Sequence, residues 1–318
     1  MHWRRDESTS NGAGPVFIAI WLFECGCSAR TSRHAAAPAP RAPGHPFRCR
    51  FKPPSAVWGG VRSGDRLAAV PIQPRTARGL YAAADEALME AAFCSGEFAE
   101  AERLFTEAQA AAAQAGDREQ EARAVGGLGM TQHYRNVARL VAGDAVADAD
   151  VATEEELMRR ALAVWQETGD AAGTAQALFG VSLVFQVLHR DWGAGMSYLW
   201  QAFGLAEAVE ESGDLYGRSE ICRHVGFYYL VEDIRPREAV RQLGHSLALR
   251  ERVGDPRRVP SALVALGEAE MAAGNPQRAV GLFGRAVTLA REASLLPWRI
   301  RDAEEDQREA EAALAAGG

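Results

Sequence analysis

Lysine is nearly missing from this chain: of 35 basic residues only Lys52 is not an arginine, the mark of a GC-rich coding bias. Cysteine is sparse as well. Cys25, Cys27 and Cys49 lie near the N-terminus, and Cys94 and Cys222 stand alone more than a hundred residues apart, so no disulfide framework is expected. No CxxC, HxxxH or HExxH occurs, which removes the spacings a zinc site needs, and no cofactor or metal is expected. A serine elbow, a Cys-His pattern and a phosphate-cradling glycine loop with lysine are also lacking, so the chain does not read as an enzyme. The apolar stretch Val16 to Phe23 has eight residues, too few to cross a bilayer.

What is present divides sharply. Residues 1–75 hold 11 basic and 4 acidic residues and nine of the 14 prolines, in runs such as AAAPAPRAPGHP, without a periodic apolar face. They are expected to be a disordered basic leader or a non-native upstream extension. Arg4 and Arg5 before the apolar stretch suggest a signal peptide, but Asp6, Glu7 and Glu24 oppose it, and a cytoplasmic location is expected. The remaining 76–318 carry 24 basic against 38 acidic residues, a balance of −14. An acidic body argues against nucleic acid or an anionic membrane as partner, because both are gripped by Lys and Arg.

From residue 76 the chain repeats. A Gly-Asp pair recurs at Gly116-Asp117, Gly169-Asp170, Gly213-Asp214 and Gly254-Asp255, at spacings of 53, 44 and 41 residues. Glycine tolerates the left-handed conformation that ends one helix, and the aspartate accepts from the free amides that begin the next. A second kind of break falls between the corners, at Ser95-Gly96, Asp191-Trp192-Gly193, Asp233 to Pro236 and Gly274-Asn275-Pro276, the last with Asn275 as N-cap. The pattern predicts five helix pairs: 76–94 with 97–115, 118–140 with 153–168, 171–189 with 192–211, 214–231 with 236–252, and 256–273 with 276–293. Val141 to Thr153 reads as a solvated inserted loop. A last helix, Arg299 to Ala315, reads as a solvent-exposed cap on the open end of the stack.

The segments Gly96-x-Phe98-x-x-Ala101-x-x-x-Phe105-x-x-Ala108 and Gly274-x-Pro276-x-x-Ala279-x-x-x-Phe283-x-x-Ala286, the latter with Leu266-Gly267 ahead of it, resemble the tetratricopeptide (TPR) repeat. Small residues at Gly267, Ala279 and Ala286 let two helices approach while Phe283 fills the space between them. At 41 to 44 residues, the repeats are longer than the family's usual unit of about 34. In this they resemble the sensor regions of MalT-type regulators. The resemblance implies an all-α, right-handed α-solenoid of about five helix pairs plus a C-terminal capping helix, working through its concave groove.

The family's inward positions fall on Arg123, Met130, His133 and Tyr134, then on Val181, Val184 and Phe185. They continue at Arg223, Phe227 and Leu230, and at Val264, Glu268 and Met271; Glu90 and Phe93 are the counterparts in the first repeat. Of these, Arg123, His133, Tyr134, Phe185, Arg223, Phe227 and Leu230 are the expected partner-binding residues. The leading expectation is a non-catalytic protein-protein interaction scaffold that binds a peptide or a partner protein's helix in the concave groove. The alternative is a module that senses a small molecule in the same groove. A catalytic pair such as His133 with Glu90 is the remote third. Aromatic residues of the second helices, Trp165, Tyr198 and Trp200, read as packing between helices, and His189 as a cation at a helix end.

Overall fold

The computed structural model describes residues 76–208 and 214–317, all in one compact unit; the leader with its cysteines and apolar stretch, and Gly213, lie outside the described residues. Eleven helices follow one another and no strand occurs among the described residues. In chain order they are α1 (Ala77–Glu90), α2 (Ala99–Ala115), α3 (Arg118–Val141), α4 (Asp148–Thr168), α5 (Ala171–Leu183) and α6 (Trp192–Ala208). After these come α7 (Leu215–Val231), α8 (Pro236–Val253), α9 (Val259–Ala272), α10 (Pro276–Glu292) and α11 (Pro297–Gly317). Single π-helical turns, Ala91–Ser95 and Val184–Leu188, extend α1 and α5. Each helix packs on its neighbours in sequence, which makes five antiparallel pairs and a terminal helix, an α-solenoid.

The corners obey the chemistry of their residues. Gly116 and Gly169 sit at φ 66° and 74°, and Asp117 and Asp170 accept from the amides of Gln120 (3.0 Å) and Gly173 (2.6 Å). Asp214 caps α7 likewise, through the Gly217 amide at 2.9 Å. The fourth corner departs from the pattern. Gly254 is left-handed, but Asp255 does not cap α9, which starts four residues later behind Arg258; its carboxylate binds Arg257 and Arg258 instead. Where the turn inside a pair lacks a suitably placed glycine, Arg190 and Ile234 take the left-handed conformation themselves. Asn275 holds the N-cap position before Pro276, but its side chain turns back to Glu270 at 2.8 Å rather than capping.

Close packing follows the small residues. A Cβ added to Gly267 would meet the Phe283 ring at 2.5 Å, and one on Gly127 would meet Phe105 at 2.2 Å, so these glycines let each ring lie directly against the next helix. Burying each phenylalanine contributes about 2–3 kcal/mol. The Val141 to Thr153 segment is a largely exposed loop over 142–147, as expected, but ends sooner: α4 begins at Asp148, and Asp150 pairs with Arg139.

The capping helix also differs from expectation. Arg301, Glu305 and Arg308 face solvent, yet Arg299, Asp302 and Asp306 are buried together with Ala303 and Ala310. The segment entering α11 reaches back to the first pair: the Leu296 amide donates to the Phe93 carbonyl at 2.8 Å and the Arg299 guanidinium to that of Ala92 at 3.0 Å. Arg299 lies against the rings of Phe93 (4.7 Å) and Trp298 (4.4 Å), while Trp298 packs with Val137 and Val187. Arg257 adds a bidentate bond to Glu86, at 2.8 and 2.9 Å. The two ends of the stack therefore meet.

Candidate functional site

The first helices of the pairs, mostly through their N-terminal halves, surround a common space together with Phe105, Met158, Ala161 and Trp165 of second helices, and there a cavity of about 530 Å³ remains. Its persistence follows from composition, since nine lining residues are Gly or Ala, among them Gly126, Gly180, Ala161 and Ala177. Larger side chains at these positions would fill it. Aromatic groups supply the walls: Tyr81 and Phe105 edge to face at 5.6 Å, Trp165, Phe179, and Tyr134 with Tyr216, whose hydroxyls lie 3.5 Å apart.

Charges of both signs share this lining. Arg123 and Asp214 are exposed and mark the mouth, whereas Glu220 and Arg258 belong to the buried wall. The Arg123 guanidinium lies over Trp165 at 5.2 Å. Arg258 stacks at 3.8 Å on Tyr216, gives its Nε to Asp255 at 3.1 Å and comes within 3.7 Å of Asp85. The buried Arg250 takes up Glu220 from behind and donates to the Arg258 carbonyl at 2.7 Å. Partial desolvation raises the Asp85 pKa from its ordinary value, against the pull of Arg258. Burial, reinforced by Asp85 and Asp214, also raises the Tyr81 phenol, which stays protonated at physiological pH. Chemically, this is a protected space with aromatic walls, a hydroxyl donor and fixed charges of opposite sign.

Two of the seven expected binding residues, Arg123 and Tyr134, line this cavity. The others lie elsewhere. His133 is 1% exposed and its Nδ1 is 2.7 Å from Glu154, whose second oxygen accepts from Asn136 at 2.8 Å; the catalytic pairing with Glu90 does not form. Arg223 is 3% exposed and stacks at 4.7 Å on Phe227, itself fully buried in the core of the last repeats, where Leu230 packs beside it. Phe185 stacks on Tyr198 at 5.6 Å, with Arg159 at 5.7 Å. Neither His133, Arg223 nor Phe227 offers its side chain to a partner in this conformation. Among the second-helix aromatics, Trp165 lines the cavity, and Trp200 is 38% exposed beside Tyr228 and Tyr229. His189 bonds Glu155 at 3.1 Å.

Sequence reasoning missed Tyr81, Asp85, Tyr216, Glu220 and Arg258. Tyr216 and Glu220 precede the glycine from which inward positions were counted, one to three turns upstream of Gly226. Arg258 sits in the turn that Gly254-Asp255 was expected to close. A charged residue on an apolar first helix, such as Asp85 between Ala84 and Leu88, was the available signal.

The chain matches no protein-family model and no curated protein. Among solved structures it is similar to BtubC (BKLC) from P. vanneervenii, at 18% identity and a TM-score of 0.45, covering 68% of this chain and 80% of that one. It is also similar to the kinesin-light-chain TPR-like repeats of Podosopora anserina, at 17% identity and a TM-score of 0.37, covering 69% and 97%. The helix pairs themselves, with Gly267 against Phe283 and Gly127 against Phe105, decide the fold. The fold is an α-solenoid of helix pairs that resemble TPR repeats. Its inner surface is occupied at the C-terminal ends of the first helices and open as a cavity at their N-terminal ends.

Proposed function

We propose that this solenoid is a non-catalytic, cytoplasmic binding module that takes up a small molecule in the cavity between its first helices. The observation that carries the reading is the coexistence of about 530 Å³ of protected space with Tyr81, Asp85, Arg123, Tyr216 and Arg258 around it. Pockets of about 300–1,000 Å³ with aromatic walls and a few fixed polar groups suit small ligands. The long repeats, resembling those of MalT-type sensor regions, accord with a sensing role. Binding of a partner helix or peptide is the second reading. It would require the Leu296–Phe93 and Arg257–Glu86 contacts to open, because these join the two ends across the entrance to the inner face.

Gly126 provides the test. It lines the cavity, and an added Cβ there finds nothing nearer than the Ala161 methyl at 3.8 Å, so Gly126→Leu fills the space without a backbone clash. Fractionated metabolite extract is expected to raise the wild-type melting temperature by about 5 °C, and not that of Gly126→Leu. Failure of every fraction, together with stoichiometric capture of one protein by an Arg257→Glu variant, would replace this reading with the partner-helix one.

A further inference from the structure

The ligand's chemistry can be narrowed by asking which lining charges are already neutralised. This inference rests on the small-molecule reading above. Glu220 is taken up by Arg250, and Arg258 is committed through its Nε to Asp255 at 3.1 Å. Three charges are left over, Asp214 among them, since its carboxylate is bonded among the described residues only to the Gly217 amide at 2.9 Å; the other two face the cavity without a committed partner. Arg123 forms no ion pair or hydrogen bond with any described residue, its one contact of note being the Trp165 ring at 5.2 Å. Asp85 accepts no hydrogen bond among the described residues, and its nearest cation is Arg258, 3.7 Å away and turned toward Asp255. The Tyr81 hydroxyl lies within electrostatic reach of both sets, with Asp85 and Asp214 favouring one sign and Arg123 and Arg258 the other.

We infer that the cavity is built for a zwitterion with an apolar body, an apolar amino acid or dipeptide with free termini, whose carboxylate meets Arg123 and whose ammonium meets Asp85. A simple anion would answer Arg123 and be repelled by Asp85 and Asp214, and a simple cation would answer the carboxylates and leave Arg123 desolvated and unanswered. A neutral ligand would displace water from both charges and replace it with nothing, which is the costly case for a desolvated ion. A zwitterion supplies a charge-assisted hydrogen bond to each without altering the net charge of the site. Size agrees. At about 30 Å³ per water in the liquid, 530 Å³ corresponds to about 18 waters, room for a ligand of about 12–18 non-hydrogen atoms. The ring faces of Tyr81, Phe105 and Trp165 then take the apolar body.

The test is isothermal titration calorimetry of the full chain with the twenty free amino acids and the dipeptide Phe-Ala. Each apolar compound that binds is compared with its N-acetyl and C-amide forms. The expected result is binding of at least one apolar compound with free termini and at least tenfold weaker binding of each blocked form. Arg123→Gln should abolish the preference for the free carboxylate and retain that for the ammonium, and Asp85→Asn should do the opposite. Blocked forms binding as well as the free compound, or only singly charged forms binding, would overturn the zwitterion while leaving the cavity a ligand site. Absence of binding by every probe would also overturn it. Extract fractions that still raise the melting temperature of wild type and not of Gly126→Leu would then preserve the broader reading, and their failure would end both.

Discussion

The two ends of the inner surface are built from the same helices and have opposite outcomes. Where α1, α3 and α5 finish, Phe93, Val137 and Val187 meet Trp298 and Arg299, and the space is filled. Nearer the starts of the same helices, nine of the 25 lining residues are glycine or alanine and a cavity with uncompensated charge remains. Packing at native density is the default for a protein interior, so the filled end needs no further purpose and the unfilled end does. The difference sets close packing at one end and open space at the other.

The largest effect should come from emptying the filled end. Phe93 is 3% exposed and supports both Tyr134, at 6.4 Å between rings, and Arg299. Phe93→Ala is expected to cost about 3–5 kcal/mol, read as a lower urea midpoint at unchanged slope. A cost below about 1 kcal/mol would mean that the two ends of the solenoid are not joined in solution.

Next in size is a pH effect between the two ends. Glu268 on α9 is half-buried, with one buried oxygen lacking a hydrogen-bond partner, and desolvation together with nearby Asp306 raises its pKa well above the ordinary value, against the pull of Arg223. A carboxyl with a raised folded pKa binds its proton more tightly folded than unfolded. Its contribution is therefore fully present below the unfolded value of about 4.3 and is lost as pH rises through the folded one. Wild-type stability should fall across that window, and Glu268→Gln should flatten the slope in a series of urea titrations. An unchanged slope would assign the pH response to the cavity end, where Asp85 is raised in the same direction.

Much of this fold was legible because helix ends obey local chemistry. Gly116-Asp117 and Gly169-Asp170 close corners by the conformations and caps their side chains favour, and Gly267 with Phe283 announces a close helix pair at fixed spacing. The site was less legible, because it depends on contacts between residues far apart in the chain. Nothing local in Arg257 or Arg299 says that it will bond Glu86 or the Ala92 carbonyl, more than 170 and 200 residues earlier. Positions expected to face an open groove, such as Phe227 and Arg223, are interior because the last repeats pack around them. The cavity residues Asp85 and Arg258 come together only through closure.

A smaller stabilising change should mark the unfilled end. Gly126→Leu replaces a mid-helix glycine of α3, which gains about 1 kcal/mol in helix propensity, and adds apolar contact in the cavity. A rise of about 2–4 °C in melting temperature is expected without ligand. A fall would mean that the cavity walls are rigid and already at contact distance, the opposite of what separates this end from the other.

The smallest effect tests the closure that makes the two ends distinct. Arg257 and Glu86 form a bidentate pair, but Glu86 is exposed, and pairs of that kind contribute about 0.5–1 kcal/mol or less. Arg257→Glu alone also breaks the bond to Asp255, so its cost overstates the contact between the ends. A double-mutant cycle separates the two. Glu86→Arg reverses only the distant partner, and Arg257→Glu with Glu86→Arg restores opposite charges across the junction while leaving Asp255 facing a like charge. A coupling energy of about 0.5 kcal/mol that shrinks as salt is raised would establish that α1 and the start of α9 touch in solution. Zero coupling at low salt would leave the closure to the Leu296 and Arg299 contacts, to Asp85 with Arg258 and to the packing of Leu295 on the first pair.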